Sequence, residues 1–401
     1  MLRRFAILLV VLLLSSLLIS IPAAAQTIDI SLSASYTFGE SIQFQAMVPA
    51  RIPIGSATLF YIPEGESKTR SGPAEWDQRD TLLYSADVVA SPVRAFSTIV
   101  YWFEIALQDG QTVQSEKATL EYIDNRFEWK IRASDEFIVH WYEGDVPFAQ
   151  SLLDTARLGL KNIQGILPVT QHMPIDIYAY DSAMEMRVAL QALPTDWMGA
   201  HTDADLSVMV VSLPAGPEQR LEMERQIPHE LMHLLLYQWL GPGYGNLPAW
   251  LDEGLASIAE LYPNPDYLVL LDNAVEKDDL PPIASLCDTF PRDASSAFLA
   301  YAQATSFTRF LQQQYGSAGL GRLAKAYSDG MSCERGVEAA LGSTLTQLEW
   351  RWQREAFGDA AATKALINLS PWMIMLVLAL LIPIVLMIAG ARKRSSTPVS
   401  G

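Results

Sequence analysis

The N-terminal third of the chain alternates apolar and polar residues over short stretches, as strands with one buried face do. Gly, Pro and Ser clusters separate these stretches, and their spacing is typical of a small sandwich. The stretches lie at 28–32, 42–47, 57–62, 82–89, 99–107 and 112–122. No cysteine occurs among them, which excludes a disulfide-pinned immunoglobulin domain. The pattern predicts a fibronectin-III-like or Ig-like β-sandwich over residues 26–124, acting as a spacer, a lid or a ligand-binding module.

Beyond this β region the pattern changes, and helical periods follow strand-like ones. After a predicted hairpin, a helix with one apolar face begins at Pro147. Further strands are predicted at 175–180 and 206–213, with a short helix capped by Ser182 between them. The remainder of the domain is mostly helical. Strands and then helices in this order predict an α+β domain over residues 125–360.

The two ends of the chain carry apolar segments that fit neither domain. Residues 1–25 combine a basic start, a short apolar run and Ala23-Ala24-Ala25 before Gln26, which predicts a cleaved secretory signal peptide. An uncleaved anchor is the alternative, but the apolar run is short for one.

Near the other end, residues 372–390 are almost wholly apolar and about long enough to cross a bilayer, after a linker at 361–371. The basic tail at 391–401 begins with Arg392-Lys393-Arg394 and is expected in the cytoplasm. A lipid-anchor signal would instead end in its apolar stretch. The sequence therefore predicts a single-pass protein of the cell membrane, with both domains outside the cytoplasm.

The charge composition limits which classes of molecule the protein is expected to bind. The chain has 28 Lys and Arg against 45 Asp and Glu, a net charge of −17. Nucleic-acid binding requires a basic face, so this balance argues against it. The cysteines, Cys287 and Cys333, are not spaced as zinc ligands are; a disulfide and two free thiols both remain open.

The strongest chemical signal is His229-Glu230-Leu231-Met232-His233. Residues four apart share a helix face, so His229 and His233 can offer imidazole nitrogens to one metal ion. Glu230 lies beside this pair and is rotated away from it, as a general base acting on water must be. Such a motif also arises by chance in an amphipathic helix, so a second signal is needed.

That second signal is Trp250-Leu251-Asp252-Glu253-Gly254-Leu255-Ala256. A catalytic zinc ion usually has three protein ligands and one open position. Glu253 lies 20 residues after His233, far enough for the first helix to end, a glycine-rich loop to turn and a second helix to begin. The adjacent Asp252 is the competing ligand, but it points about 100° away on a helix. The sequence thus predicts a Zn²⁺ site formed by His229, His233 and Glu253.

Together these two motifs resemble the gluzincin metallopeptidases, and most closely the peptidase MA-like families. The resemblance covers about residues 127–358 and implies a zincin-like fold, bound Zn²⁺ and a peptide or protein substrate. It also implies that Glu230 is the general base, that Tyr301 stabilises the oxyanion, and that an edge strand at 207–212 pairs with the substrate. Pro228, directly before the first histidine, departs from the family pattern and puts the aim of His229 in question.

Three other residues are less favoured candidates for a role at the metal site. His201 is expected in a loop before the edge strand, as a surface histidine more than a site residue. Glu260 could orient a ligand imidazole, although a salt bridge on the helix face is the simpler expectation. His201 and the tyrosines near the glycine-rich loop, such as Tyr244, are the next oxyanion candidates if Tyr301 is an ordinary core residue.

The function expected from these features is that of a membrane-anchored zinc peptidase. No acidic motif for binding a substrate amino terminus precedes the zinc helix, which favours endopeptidase action over aminopeptidase action. The alternative is a cell-surface binding or scaffold protein whose metal site is structural or inactive. The presence of Glu230 favours the enzyme.

Overall fold

The computed structural model describes residues 29–49, 52–77, 79–191, 199–358, 369–377 and 381. The predicted signal peptide lies outside the described residues, and the predicted membrane segment is described only at 372–377 and 381. Over these ranges, no helix is both long enough and apolar enough to cross a bilayer. The chain divides into two compact units between Phe127 and Glu128.

The N-terminal unit is built from two antiparallel sheets. The first has the order β1-β2-β6-β5, and the second has the order β4-β3-β7-β8, with β9 also paired to β7. The strands are β1 (Ser31–Thr37), β2 (Ser41–Met47), β3 (Ile54–Pro63), β4 (Arg70–Pro73), β5 (Glu75–Trp76), β6 (Thr81–Asp87), β7 (Ser97–Leu107), β8 (Thr112–Gln114) and β9 (Ala118–Tyr122). The prediction of an all-β N-terminal region is confirmed.

Aromatic side chains fill the space between these two sheets. The ring of Phe44 on β2 lies 5.3 Å from that of Tyr61 and 4.9 Å from that of Tyr101, measured between centroids. Strands β4 and β5 were not predicted, because they are short, lie at sheet edges and are largely exposed. A strand that buries no apolar face leaves no alternation to detect.

The second unit contains one mixed sheet with the order β10-β11-β12-β14-β13. The three inner strands are parallel, and the two outer strands pair antiparallel to them. The strands are β10 (Lys130–Ala133), β11 (Phe137–Trp141), β12 (Ile175–Tyr180), β13 (Ala200–Asp203) and β14 (Val208–Ser212).

Helices make up the remainder of this unit. They are α1 (Val146–Ile166), α2 (Ala183–Ala189), α3 (Gln219–Leu240), α4 (Ala249–Ala259), α5 (Asp266–Lys277), α6 (Ala294–Ser328), α7 (Cys333–Leu341) and α8 at 345–358. A 3₁₀ turn, Gly241–Asn246, joins α3 to α4, where the sequence predicted the helix break. The buried faces of α1, α3, α4 and α6 and the inner face of the sheet form one continuous core.

The predicted edge strand is wrong. The predicted segment, as β14, lies between β12 and β13 and is buried at every position. Among the described residues, the strand at this edge of the sheet is β13, whose sequence Ala-His-Thr-Asp is typical of a polar loop. A continuous apolar run such as Val-Met-Val-Val marks a strand covered on both faces, whereas a solvent-facing edge has no need of one.

A disulfide joins Cys287 to Cys333, so of the two states left open by the sequence the structure has the bridged one. Both cysteines contact the first turn of α4. The Ala249 N–H donates to the carbonyl oxygen of Cys287 at 3.0 Å, and the Trp250 indole N–H donates to the Cys333 sulfur at 3.4 Å. The bridge therefore supports the start of the helix that carries Asp252 and Glu253.

Removing this bridge is expected to destabilise the second unit. The double replacement of Cys287 and Cys333 by serine frees a loop of 46 residues, worth about 4 kcal/mol in a chain-entropy estimate. For a unit of this size that corresponds to a fall of roughly 10 °C in the unfolding midpoint. Differential scanning calorimetry checks this, and an unchanged midpoint would show that packing alone holds the start of α4.

Candidate metal centre

Three side chains converge between α3 and α4. His229 and His233 lie one turn apart on α3, and Glu253 lies on α4. One ligand atom from each lies within 4.8 Å of the others. The Glu253 Oε2 atom is 3.3 Å from His229 Nε2 and 3.8 Å from His233 Nε2. These are the three residues that the sequence assigned to the metal.

The other nitrogen of each imidazole faces a carboxylate. His229 Nδ1 lies 3.2 Å from Glu260 Oε1, and His233 Nδ1 lies 3.1 Å from Asp252 Oδ1. Such contacts fix the ring orientation and leave Nε2 free to face a metal. Asp252 thus contacts the nitrogen of His233 that faces away from the metal position. Glu260 contacts His229 in the same way, which the sequence analysis gave only as the less favoured possibility.

Tyr244 supports the same arrangement. Its hydroxyl donates to Asp252 Oδ2 at 3.1 Å and lies 3.2 Å from His233 Nδ1. Tyr244, Asp252 and His233 therefore form a connected cluster on one side of the site. The sequence placed Tyr244 only as a reserve for the oxyanion role, because the fold of the glycine-rich turn cannot be inferred from its composition.

Charge in this cluster is set by the carboxylates. Burial lowers the pKa of both imidazoles, but the carboxylates of Glu253 and Glu260 outweigh it and raise the pKa of His229 well above its ordinary value. Asp252 does the same for His233, whose pKa is raised to about 9. Burial opposes ionisation of Glu253, yet the adjacent imidazole of His229 lowers its pKa. A metal cation that binds here therefore displaces protons.

The donor set fits zinc. Two imidazoles and one carboxylate form a known ligand set of catalytic zinc sites. The Glu253 Oε2 atom is buried and has no well-aligned hydrogen bond among the described residues. A buried oxygen in this state is costly unless a cation or donor satisfies it.

Pro228 does not end the zinc helix. Helix α3 continues through it, and the proline is buried against Gly159 of α1, where a Cβ would lie 3.1 Å away. Proline has no N–H, so the carbonyl of Glu224 loses its helical donor. The N–H of Leu261, directly after Glu260, donates to that carbonyl at 2.9 Å. The departure from the family pattern therefore attaches the end of α4 to α3 and helps to place Glu260 beside His229.

The side chain of Glu230 lines the same cavity as the three ligand residues. The Thr202 hydroxyl on β13 donates to Glu230 Oε2 at 2.6 Å. This contact fixes the direction of the carboxylate. Thr202 was missed at the sequence level, because nothing in Ala-His-Thr-Asp distinguishes an edge strand that packs beside a distant helix.

Tyr301, on α6, lines the same cavity. Its ring centroid is 6.4 Å from that of His229 and 5.0 Å from that of Phe290, and its hydroxyl hydrogen-bonds with the Glu253 carboxylate. Burial, and then the charges of Glu253 and Glu230, raise the pKa of Tyr301, so its hydroxyl keeps its proton. It is therefore a hydrogen-bond donor beside the three converging residues, and its predicted role at the oxyanion stays a prediction.

His201 lies on β13 and not in a loop, which corrects the predicted placement. Its side chain is 43% exposed, and its Nε2 atom is 3.7 Å from Asp203 Oδ1. The Asp203 carboxylate raises the pKa of His201. The residue also lines the cavity, so the expectation of a surface histidine away from the site describes only part of its position.

A cavity of about 600 Å³ opens over these groups. Besides the residues already described, it is lined by residues of three helices, α3, α5 and α6, and by residues on or beside β13. The further lining residues are Gly199, Ala200, Ala204, Glu222, Arg225, Gln226, Tyr267 and Phe298.

Comparison with known proteins agrees with this geometry. Residues 155–358 match the model of the Peptidase MA superfamily, which is about half of the chain. Among solved structures, a point mutant of an M1 zinc metallopeptidase from Deinococcus radiodurans is similar at 12% identity and a TM-score of 0.37, covering 81% of this chain and 92% of that one. An aminopeptidase N family protein from Idiomarina loihiensis is similar at 7% identity and a TM-score of 0.36, covering 75% and 69%. No curated protein matches.

Proposed function

This chain belongs to the Peptidase MA superfamily, and from that premise we propose that it hydrolyses peptide bonds with Zn²⁺ held by His229, His233 and Glu253. The observation that carries the proposal is the convergence of these three donors within 4.8 Å, with Glu230 lining the same cavity. The gluzincin-type zinc metallopeptidase predicted from the two motifs is confirmed at the level of the superfamily.

Zinc bound at these donors would polarise the scissile carbonyl and lower the pKa of a water molecule in the cavity. Glu230 accepts the proton of the attacking water and passes it to the leaving amine nitrogen. Thr202 holds the Glu230 carboxylate in position for both transfers. Asp252 and Glu260 keep the imidazoles oriented while charge develops.

Tyr301 donates a hydrogen bond to the oxyanion of the tetrahedral intermediate. Replacing Tyr301 with phenylalanine is expected to lower kcat roughly 10²- to 10³-fold, as loss of an oxyanion donor does. Zinc content and the melting temperature should change little, because the ring and its contact with Phe290 remain. Steady-state kinetics and thermal melting of the single variant give the answer.

Tyr244→Phe is the matched control, since Tyr244 is a second tyrosine whose hydroxyl contacts a residue beside the site. Its hydroxyl orients Asp252 and His233, so the control should weaken zinc retention more than turnover of the loaded enzyme. If Tyr301→Phe leaves kcat unchanged and lowers stability by about 1 kcal/mol, Tyr301 is a core residue with a buried hydroxyl.

We place substrate capture on β13. This strand ends the sheet among the described residues, and Thr202 connects it directly to Glu230. An extended peptide can add to such an edge, with backbone hydrogen bonds giving affinity and side-chain cavities giving preference. The absence of an amino-terminus-binding motif before α3 supports cleavage within the chain, that is, endopeptidase action.

We also propose that the peptidase acts outside the cytoplasm and is tethered by its C-terminal apolar segment. The apolar and basic patterns at the two chain ends support this, and a disulfide is typical of exported proteins. Fractionation of cells expressing the full chain, with protease added to intact cells, tests the location.

The proposed activity is tested by metal analysis of the purified protein together with a broad peptide library. We expect about one zinc per chain and cleavage that a chelator stops and added zinc restores. A protein that holds zinc and cleaves nothing would favour a binding or scaffold role.

A further inference from the structure

One flank of the cavity is lined by groups that the proposed hydrolysis does not use. Glu222, Arg225 and Gln226 lie on α3, one to two turns before His229 and on its side of the helix. Tyr267 and Phe298 line the cavity with them.

Acidic groups dominate the lining of the cavity. Five carboxylates line it against one guanidinium, that of Arg225. With Zn²⁺ bound and the histidines neutral, the lining therefore carries two net negative charges. A low-dielectric cleft of one sign concentrates ligands of the opposite sign.

Within the flank, Glu222 and Arg225 neutralise each other. Arg225 Nη1 donates to Glu222 Oε1 at 3.0 Å, and the amide nitrogen of Gln226 donates to Glu222 Oε2 at 3.2 Å. The negative charge left beside this pair belongs to Glu260. A carboxylate ligand at Arg225 would have to lie near both Glu222 and Glu260.

Two acceptors of the flank are unsatisfied. The Glu260 side chain is only 4% exposed, and its Oε2 atom is buried without a hydrogen-bond partner among the described residues. The Gln226 Oε1 atom is in the same state. Buried acceptors without donors are costly, and a ligand with several N–H groups would satisfy both.

Two aromatic rings of the flank offer an apolar surface beside these acceptors. Tyr267 and Phe298 pack edge to face, with centroids 5.2 Å apart. Both rings line the cavity together with Glu260. Aromatic faces accept both the aliphatic stem of a lysine or arginine side chain and its cationic end.

We propose that this flank is a subsite for a basic side chain of the substrate, with Glu260 and Gln226 accepting from the cationic end and Tyr267 and Phe298 packing on the stem. The proposal rests on the peptidase function above and gives its substrate class: peptides with lysine or arginine near the scissile bond.

The test uses the full zinc-loaded protein and peptides with acetylated amino termini. Each peptide series places lysine, norleucine or glutamate at one position near the scissile bond. Norleucine keeps the stem of lysine and lacks the ammonium. We expect kcat/KM for the lysine peptide to exceed that for norleucine by roughly tenfold at one position, and glutamate to be the poorest.

Two adjacent variants should move this selectivity in opposite directions. Glu222→Gln removes a negative charge and should lower the lysine-to-norleucine ratio roughly threefold to tenfold, whereas Arg225→Gln removes a positive charge and should raise it by a similar factor. General damage to the site cannot produce opposite signs. Glu218→Gln, an equal charge change at an exposed position near the start of the same helix, should keep the wild-type ratio.

The outcomes separate the two proposals. Absence of chelator-sensitive cleavage of any peptide would overturn the peptidase function. Cleavage without a preference for lysine would overturn the subsite alone. Cleavage only of peptides with a free amino terminus would show that the acceptors bind an α-amino group and would overturn the side-chain assignment. A loss of glutamate-peptide cleavage in Arg225→Gln would assign the flank to acidic side chains instead.

Discussion

Replacing Glu230 with glutamine is expected to lower kcat roughly 10²- to 10⁴-fold, the usual contribution of a general base. The side chain keeps its size, and its amide oxygen can still accept the hydrogen bond from Thr202. What it loses is the ability to take a proton from water. Zinc content should stay at the wild-type level, because Glu230 is not one of the converging donors.

The measurement is single-turnover kinetics with metal analysis of the same preparation. Glu218→Gln, the exposed variant near the start of the same helix, controls for charge and should behave as wild type. Near-native turnover in Glu230→Gln would mean that another group takes the proton, and the proposed mechanism would be wrong.

Loss of the metal is the second large effect. His229→Ala, His233→Ala and Glu253→Ala are each expected to remove about one equivalent of zinc and to abolish cleavage, because a three-ligand site rarely survives the loss of one ligand. Elemental analysis after dialysis against a weak chelator measures it. His172→Ala changes an exposed histidine outside the cavity and should retain the metal.

The variant Asp252→Ala tests whether Asp252 binds the metal itself or only orients the ligand His233. Asp252 contacts His233 Nδ1, so its loss should weaken zinc binding roughly 10- to 100-fold without removing the site, as is usual for such partners. If Asp252→Ala lost the metal outright while Glu253→Ala kept it, the third ligand would be Asp252.

Local periodicity and spacing were enough to predict which three side chains converge. His229 and His233 face one side because the helix repeat requires it, and Glu253 follows at a distance that allows one turn and a return. The sequence could not show what holds them, because Tyr244, Asp252 and Glu260 act through contacts between separate elements. The motifs predict which side chains are the donors, and the packing of α4 on α3 determines how these side chains are oriented.

The edge strand shows the opposite case. The apolar run of β14 was detected because it is buried, and it was given the wrong role for the same reason. The strand that ends the described sheet, β13, carries Thr202 and His201 in a polar stretch that has no strand pattern. A surface built to pair with a substrate keeps its hydrogen-bonding groups free, so its sequence resembles a loop.

Pro228 illustrates how an apparent defect can be structural. From the sequence alone, a proline directly before the first ligand predicts that the helix begins at that point or is kinked there. In three dimensions, the carbonyl that it frees is used by Leu261, and this contact brings the end of α4 to α3. Only the fold shows that the missing hydrogen bond has been replaced by one between helices.

β13 ends the sheet among the described residues, and the substrate capture proposed there has a consequence for which proteins would be vulnerable to cleavage. A chain that pairs with a strand edge must itself be extended over several residues, and its backbone groups must be unoccupied. Helical segments and inner strands of folded targets meet neither condition until they open locally. The proposed peptidase would thus discriminate by the conformational stability of its targets: misfolded, unassembled or unstructured chains would be degraded, and intact neighbours with the same residues would be spared.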